Sequence, residues 1–262
     1  MSDEMESRVN TEFTNNTKIR VGAVSYLNTK PLIYGFELGM MKDEIELTID
    51  YPSKVARSLL DGSIDIGLVP VAILPQMKNY QIVSDFGIAC DGAVTSVCLY
   101  SKVPVDQIKT VILDYQSRTS VALAQILFKE LWKVNPVFLP APENFINQIN
   151  GETAAVVIGD RALELNNLGY QVYDLGEAWK ELTGLPFVFA AWISNREVSP
   201  AFIQQFNLAN LYGLNNLAEV VKSLPDNNIN MLEYYTRYIN YNLDMSKKEG
   251  MAVFLKKLAE LK

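Results

Sequence analysis

Short apolar runs alternate with helix-forming patterns along this chain, and this alternation constrains its fold more than any other feature. In the first third, strand patterns at 19–24, 45–51 and 65–70 enclose helical patterns that begin near Pro31 and at 53–62. This order of elements is typical of β-α-β-α-β units. Such units build a parallel sheet flanked by helices, because each helix returns the chain to start the next strand in the same direction.

The same alternation restarts further along the chain. Strand patterns at 110–115, 134–140 and 154–159 enclose a long helical pattern at 120–132 and a short one at 142–149. We therefore predict a second α/β lobe. A strand pattern at 185–193 and a helical tail from Pro200 follow. A helical tail cannot complete a third sheet, so we expect it to pack back on the first lobe.

Packing of the tail on the first lobe requires the chain to cross twice between the lobes, near Leu99–Val105 and near Phe187–Trp192. The predicted fold is an α/β clamshell of two mixed sheets flanked by helices, with a ligand cleft between the lobes and a helical C-terminal tail. The predicted boundaries are a flexible leader over 1–17, a first lobe over 18–99 plus 189–262, and a second lobe over 100–188.

Two helix starts carry local capping signals. Ser53 is placed as an N-cap before the helical pattern that Gly62 would end, and Ser246–Glu249 (SKKE) resembles a capping box. We therefore expect these two serines to begin their helices.

The chain is acidic, with 23 Lys and Arg against 30 Asp and Glu, a net charge of -7. This balance argues against a nucleic-acid partner, which requires clustered positive charge. No uninterrupted apolar run approaches membrane-spanning length, so we expect no membrane partner. Residues 1–17 lack the cationic and apolar regions of a signal peptide, which predicts a cytoplasmic protein.

The sequence contains no histidine, which removes the commonest metal ligand and the commonest general base. Its two cysteines, Cys90 and Cys98, have apolar or small neighbours and are predicted to be buried thiols. No phosphate-binding glycine loop and no nucleophile elbow occur. We therefore predict neither a metal nor an organic cofactor; nothing in the sequence specifies an oligomeric state.

Polar residues follow the apolar strand patterns, at the carboxyl ends where open α/β sheets bind ligands. After the first strand come Ser25, Tyr26 and Asn28. Ser96 lies in the segment DGAVTSVCLYS, and Gly159 and Asp160 follow the strand at 154–158. Four of these have a structural alternative: Asn28 and Asp160 could be helix caps, and Tyr26 and Ser96 could be packing residues.

The segment DYQSRTSVAL is the most informative of these. Ser117, Arg118, Thr119 and Ser120 lie where a helix begins, and together they offer hydroxyls, a guanidinium and unpaired backbone N–H groups. That combination is typical of a carboxylate or phosphate receptor. The alternative is an ordinary N-cap with a solvated arginine.

The segments VGAVSYLNTKPL, DIGLVPVA, SRTSVAL, IGDRAL and DLGEAWKELTGLPFVFAAW resemble the chorismate dehydratases of the futalosine route to menaquinone. The matching segments run in order from about Arg20 to Trp192. The resemblance implies a fold like the type II periplasmic binding proteins in a cytoplasmic enzyme. It also implies conversion of chorismate to 3-[(1-carboxyvinyl)oxy]benzoate and water without a metal or an organic cofactor.

Chorismate is a dianion, and the resemblance assigns its groups to residues of this chain. Arg118 with the helix start at Thr119–Ser120 would bind one carboxylate, while Asn28 and Ser96 would bind the second carboxylate or the hydroxyl. Ser25, Tyr26 and Gly159 complete the predicted binding set.

Asn28 and Asp160 are the predicted catalytic residues. The favoured base is the substrate's own enolpyruvyl carboxylate, oriented by Asn28, and Asp160 is the alternative base within the protein. A related futalosine-route enzyme uses a histidine, which this chain lacks. The competing interpretation is a non-catalytic binding protein for a small carboxylate.

Overall fold

A computed structural model describes residues 18–114, 116–165, 169–225 and 229–261. The predicted leader at 1–17 lies outside the described residues. Two sheets dominate the structure, as the sequence predicts, and each mixes parallel with antiparallel pairs. In the described part of the chain, no helix is both long and apolar enough to cross a membrane.

The first sheet has the strand order β11-β4-β10-β3-β1-β2. β1 pairs in parallel with both β2 and β3, whereas β10 is antiparallel to β3 and to β4. The strand bounds are β1 Ile19–Val24, β2 Ile45–Asp50, β3 Ile66–Pro70, β4 Gln81–Cys90, β10 Phe187–Ser194 and β11 Asn240–Asn242.

Two helices connect the parallel strands of the first sheet. Helix α1 covers Lys30–Glu37, with Pro31 in its first turn, where the missing N–H costs no hydrogen bond. Helix α2 covers Pro52–Asp61 and ends at Gly62, whose φ is +81°. The expectation for Ser53 is wrong: Tyr51 holds the N-cap position, and the proline after it begins the helix.

The second sheet has the strand order β7-β6-β8-β5-β9. β6 is parallel to β7 and β8, and β5 is antiparallel to β8 and β9. Its strands are β5 Val97–Ser101, β6 Thr110–Leu113, β7 Val137–Pro140, β8 Thr153–Ile158 and β9 Gln171–Asp174, and its helices are α3 Arg118–Leu127, α4 Asp160–Leu165 and α5 Leu175–Thr183.

The chain passes between the sheets earlier than predicted at both crossings. All of β5 pairs within the second sheet, so the first crossing lies at 91–96 and not near Leu99–Val105. All of β10 pairs within the first sheet, so the return lies before Phe187. A strand completes its hydrogen-bonded ladder in one sheet, which puts both crossings in the loops that flank these strands.

The tail packs on the first lobe, as predicted, and it also adds the short edge strand β11, which the sequence did not indicate. Its helices are α6 Pro200–Asn215, α7 Leu217–Lys222, α8 Met231–Glu233 and α9 Met245–Ala259. Helix α6 lies against α1 so closely that a Cβ added at Gly213 would meet the Pro31 carbonyl oxygen at 1.9 Å.

The start of α9 corrects the predicted capping box. Asp244, and not Ser246, caps the helix, because its side chain accepts the Lys247 backbone N–H at 3.0 Å. A carboxylate at this position also stabilises the positive end of the helix dipole.

One buried apolar cluster runs through both lobes. It includes Val21 and Val69 of the first sheet and Leu99 and Val156 of the second. A smaller cluster, which includes Tyr100, Phe145 and Val157, covers the other face of the second sheet. Cys90 and Cys98 are buried free thiols, as predicted. The continuous cluster holds the two sheets against each other around the cleft.

Candidate functional site

A cavity lies between the two sheets. Its apolar wall includes Val24, Ile88, Val97, Ile158 and Phe189, which come from both sheets. Its polar lining comprises Tyr26, Asn28, Ser96, Ser117, Ser120 and Gly159. An apolar wall with a few convergent polar groups is the usual composition of a small-molecule site.

Five of the predicted site residues line this cavity: Tyr26, Asn28, Ser96, Ser120 and Gly159. They come from four separate segments of the chain, at the ends of β1 and β8, in the first crossing and at the start of α3. The rule that ligand sites gather at strand ends therefore brings the right segments together.

Ser25, Arg118 and Thr119 do not line the cavity. Ser25 is exposed, and its backbone N–H pairs with the Asp50 carbonyl oxygen at 3.1 Å. Thr119 is buried, and its Oγ1 accepts the Ala72 backbone N–H at 3.1 Å, so it joins the two lobes.

Arg118 is exposed on the outside of the cleft, where its Nη1 donates to Gln76 Oε1 at 3.2 Å. Ser117 and Ser120 are three residues apart on the face that meets the cavity, whereas Arg118 is turned about 100° away from Ser117 around the helix. Arg118 therefore does not line this cavity, and its role as a carboxylate receptor stays a prediction.

The start of α3 places two hydroxyls at the cavity. Ser117 is the N-cap, and its Oγ accepts the Ser120 backbone N–H at 3.2 Å. The two hydroxyl oxygens are 2.9 Å apart. Ser117, which the sequence placed in the receptor segment with an N-cap as the alternative, both caps the helix and lines the cavity.

A tyrosine from the tail lies behind the polar lining of the cavity, and the sequence gave no signal for it. The Tyr234 hydroxyl donates to Ser96 Oγ at 2.7 Å. Burial raises the pKa of Tyr234 above its ordinary value, so the hydroxyl keeps its proton.

Tyr26 reaches across the cleft to a charged pair in the second lobe. Its hydroxyl hydrogen-bonds to Gln116 Oε1, which also accepts from Arg161 Nη2 at 2.9 Å. Arg161 Nη2 donates to Asp114 Oδ2 at 2.6 Å. Burial raises the pKa of Asp114, and the nearby guanidinium opposes that shift. Arg161 is thus held by a buried carboxylate and a side-chain amide.

Asp160 bridges the lobes and does not line the cavity. Its Oδ1 accepts the Leu27 backbone N–H at 3.1 Å, next to Asn28. Burial raises the pKa of this carboxyl, while the Leu27 N–H opposes the shift. The carboxylate therefore holds the loop that carries Asn28.

Asp174 ties the first crossing to the start of α5. Its Oδ2 accepts the backbone N–H groups of Val94 and Thr95 at 2.9 and 2.6 Å, and its Oδ1 accepts those of Gly176 and Glu177 at 2.9 and 3.1 Å. The segment that carries Ser96 is thereby fixed to the start of α5. Across the described ranges, no group of three or more His, Cys, Asp or Glu side chains is placed to hold a metal ion.

Comparison with known proteins identifies the family of this chain. A family described as Menaquinone biosynthesis matches residues 19–260. The chain belongs to this menaquinone-biosynthesis family. Its relatives include a chorismate dehydratase of Thermus thermophilus, 28% identical over 261 residues that cover 91% of this chain and 94% of the relative. A chorismate dehydratase of Campylobacter jejuni is 26% identical over 243 residues, which cover 88% and 93% of the two chains.

Solved structures match the fold of this menaquinone-biosynthesis protein. A protein of Archaeoglobus fulgidus has a TM-score of 0.75 at 18% identity and covers 94% of this chain and 98% of its own. The periplasmic aliphatic sulphonate binding protein of Escherichia coli has a TM-score of 0.59 at 15% identity, with coverage of 93% and 91%. The fold is that of the periplasmic binding proteins.

Proposed function

We propose that this protein is a chorismate dehydratase, a carbon–oxygen lyase that converts chorismate to 3-[(1-carboxyvinyl)oxy]benzoate and water. The observation that carries the proposal is the single cavity in which Asn28, Ser96 and the serines of α3 come together, in a chain whose relatives over nearly its full length include chorismate dehydratases.

The composition of the cavity suits a ring with polar substituents. The side chains of Val24, Ile88 and Phe189 offer apolar surface to a ring. The hydroxyls of Ser96, Ser117 and Ser120 and the amide of Asn28 can donate hydrogen bonds to carboxylates and to a hydroxyl. These groups are neutral, so in this proposal the dianion is bound by hydrogen bonds and by the N-terminal end of α3.

The proposed reaction is an elimination. A base removes the proton from the ring carbon that bears the ether, and the electron pair of that C–H bond forms a new ring double bond. The neighbouring C–O bond breaks, and the departing hydroxide takes the proton and leaves as water. The ring becomes aromatic, which makes the step favourable.

The substrate's enolpyruvyl carboxylate is the base in this proposal, and Asn28 orients it. An amide cannot accept the proton at neutral pH, so Asn28 acts by positioning. The Asp160 carboxylate, which accepts the Leu27 N–H, is outside the cavity lining, and this argues against it as the base.

The test is to mix metal-stripped protein with chorismate and to follow the products by chromatography. We expect the carboxyvinyloxy benzoate to form, and Asn28→Ala to lower kcat by about 100-fold because the base loses its orientation. Asn135→Ala, at an exposed residue far along the chain, is the control and should leave kcat unchanged.

The competing function is a carrier for a small carboxylate, which the fold of the sulphonate binding protein favours. A carrier would bind chorismate in a calorimeter without forming product. If the protein neither binds chorismate nor forms product, both functions are contradicted. Full turnover by the Asn28→Ala variant would contradict the role given to Asn28.

A further inference from the structure

Three tyrosines of the C-terminal tail hydrogen-bond to the segments that form the site. Tyr234 and Tyr235 lie in the π-helical turn Tyr234–Tyr238, and Tyr241 lies in β11. All three side chains are buried, with exposed fractions of 3%, 2% and 7%. Buried hydroxyls need hydrogen-bond partners, and each of these finds its partner in a segment that forms the site.

Two of the tyrosines hold the backbone of the loop after β1. The Tyr235 hydroxyl donates to the Leu27 carbonyl oxygen at 2.8 Å, and the Tyr241 hydroxyl donates to the Asn28 carbonyl oxygen at 2.9 Å. Together with the bond from the Leu27 N–H to Asp160, these contacts fix the path of the loop on both sides.

Tyr234 contacts a side chain instead of the backbone. Its hydroxyl donates to Ser96 Oγ at 2.7 Å. A phenolic hydroxyl has one proton, and here that proton points at Ser96. Ser96 accepts it and so keeps its own proton available to donate into the cavity.

We propose that Tyr234 is a positioning residue that sets the orientation of the Ser96 hydroxyl toward the substrate. This role rests on the proposed dehydratase function. Tyr234 acts through Ser96 and does not itself line the cavity. Such second-layer contacts hold reacting groups in their productive geometry, where a displacement of about 1 Å costs roughly 100-fold in rate.

Tyr234→Phe tests this role, with Tyr238→Phe as the matched control. Tyr238 lies in the same π-helical turn, is half-buried, and within the described residues its hydroxyl has no hydrogen-bond partner. We expect Tyr234→Phe to lower kcat for chorismate by about 10- to 100-fold with KM changed by less than about threefold. Tyr238→Phe should stay within about twofold of the wild type.

A double variant separates positioning from a general structural effect. If Tyr234 acts through Ser96, then Tyr234→Phe combined with Ser96→Ala should be less than about twofold slower than Ser96→Ala alone. If the two losses multiply, or if Tyr234→Phe lowers the melting temperature but leaves kcat unchanged, the positioning role is wrong.

Crystal structures of the wild type and both phenylalanine variants test the same role without the reaction. We expect a new rotamer for Ser96 in Tyr234→Phe only, over an unchanged loop backbone that Tyr235 and Tyr241 still hold. An unchanged Ser96 rotamer would overturn the proposal. If the wild type fails to convert chorismate, the dehydratase function falls, and the Ser96 rotamer still decides whether Tyr234 orients this side chain.

Discussion

Gly159 shows how one residue can shape the cavity without a side chain. It follows β8 with a φ of +64°, and a Cβ added there would lie 3.1 Å from two atoms of the Tyr26 ring. The sequence predicted Gly159 as part of the binding set. Its contribution in the structure is the space that lets the Tyr26 ring lie against the second lobe and its hydroxyl reach Gln116.

We expect Gly159→Ala to displace Tyr26 and to lower kcat/KM for chorismate by about tenfold. The left-handed backbone should also cost about 1 kcal/mol in the free energy of unfolding. Gly151→Ala is the matched control: its φ is +53°, and nothing lies within 4 Å of its added Cβ. It should show the same loss of stability by denaturant unfolding with normal activity. Equal activities in the two variants would contradict the packing argument.

At the scale of the element, helix starts link stability to the site. Ser117 caps α3 and lines the cavity, whereas Ser199 caps α6 on an exposed surface away from it. Both hydroxyls accept a backbone N–H at 3.2 Å. The same local interaction thus stabilises both helices, and in α3 it also places a hydroxyl at the cavity.

Ser117→Ala and Ser199→Ala should each lower the free energy of unfolding by about 1 kcal/mol, because each removes one N-cap bond. Only Ser117→Ala should also weaken chorismate binding, measured by calorimetry, since the cavity loses a hydroxyl and Ser120 loses its neighbour. Weaker binding in Ser199→Ala would show that the effect arises from lost stability and not from the site.

At the scale of the whole molecule, the cleft is held by bonds between lobes at its edge. Asp160 accepts the Leu27 N–H, Thr119 accepts the Ala72 N–H, and Tyr26 reaches Gln116. On another side of the molecule, Lys257 of α9 forms an ion pair with Glu130. Each of these contacts joins residues far apart in sequence, so no local pattern indicates them.

Asp160 can be tested as a bridge and as a base with two substitutions. The amide oxygen of Asp160→Asn can still accept the Leu27 N–H but cannot take a proton, whereas Asp160→Ala loses the acceptor as well. If Asp160 is a bridge, the alanine variant should have the lower kcat/KM, by about tenfold, because the Asn28 loop is released. If both variants lose activity equally, Asp160 is the base and the substrate-carboxylate mechanism is wrong.

The sequence by itself determined the two-sheet fold and most of the segments that form the site. Apolar alternation is a local property, so the order of strands and helices can be seen without the structure, and polar residues after strands then fall at one edge of each sheet. Tyr26, Asn28, Ser96, Ser120 and Gly159, predicted from strand ends, short polar segments and a helix start, all line the cavity, and their roles in binding stay a prediction.

Tertiary structure alone decided which side chains of those segments face the cavity and what holds them. Arg118 carries the strongest charge signal, yet the rotation of α3 against its neighbours turns it to solvent and turns Ser117 inward. Tyr234 contacts Ser96 across 138 positions of sequence. No local pattern encodes such a contact, because it depends on how the tail packs against the lobe after the sheets have formed.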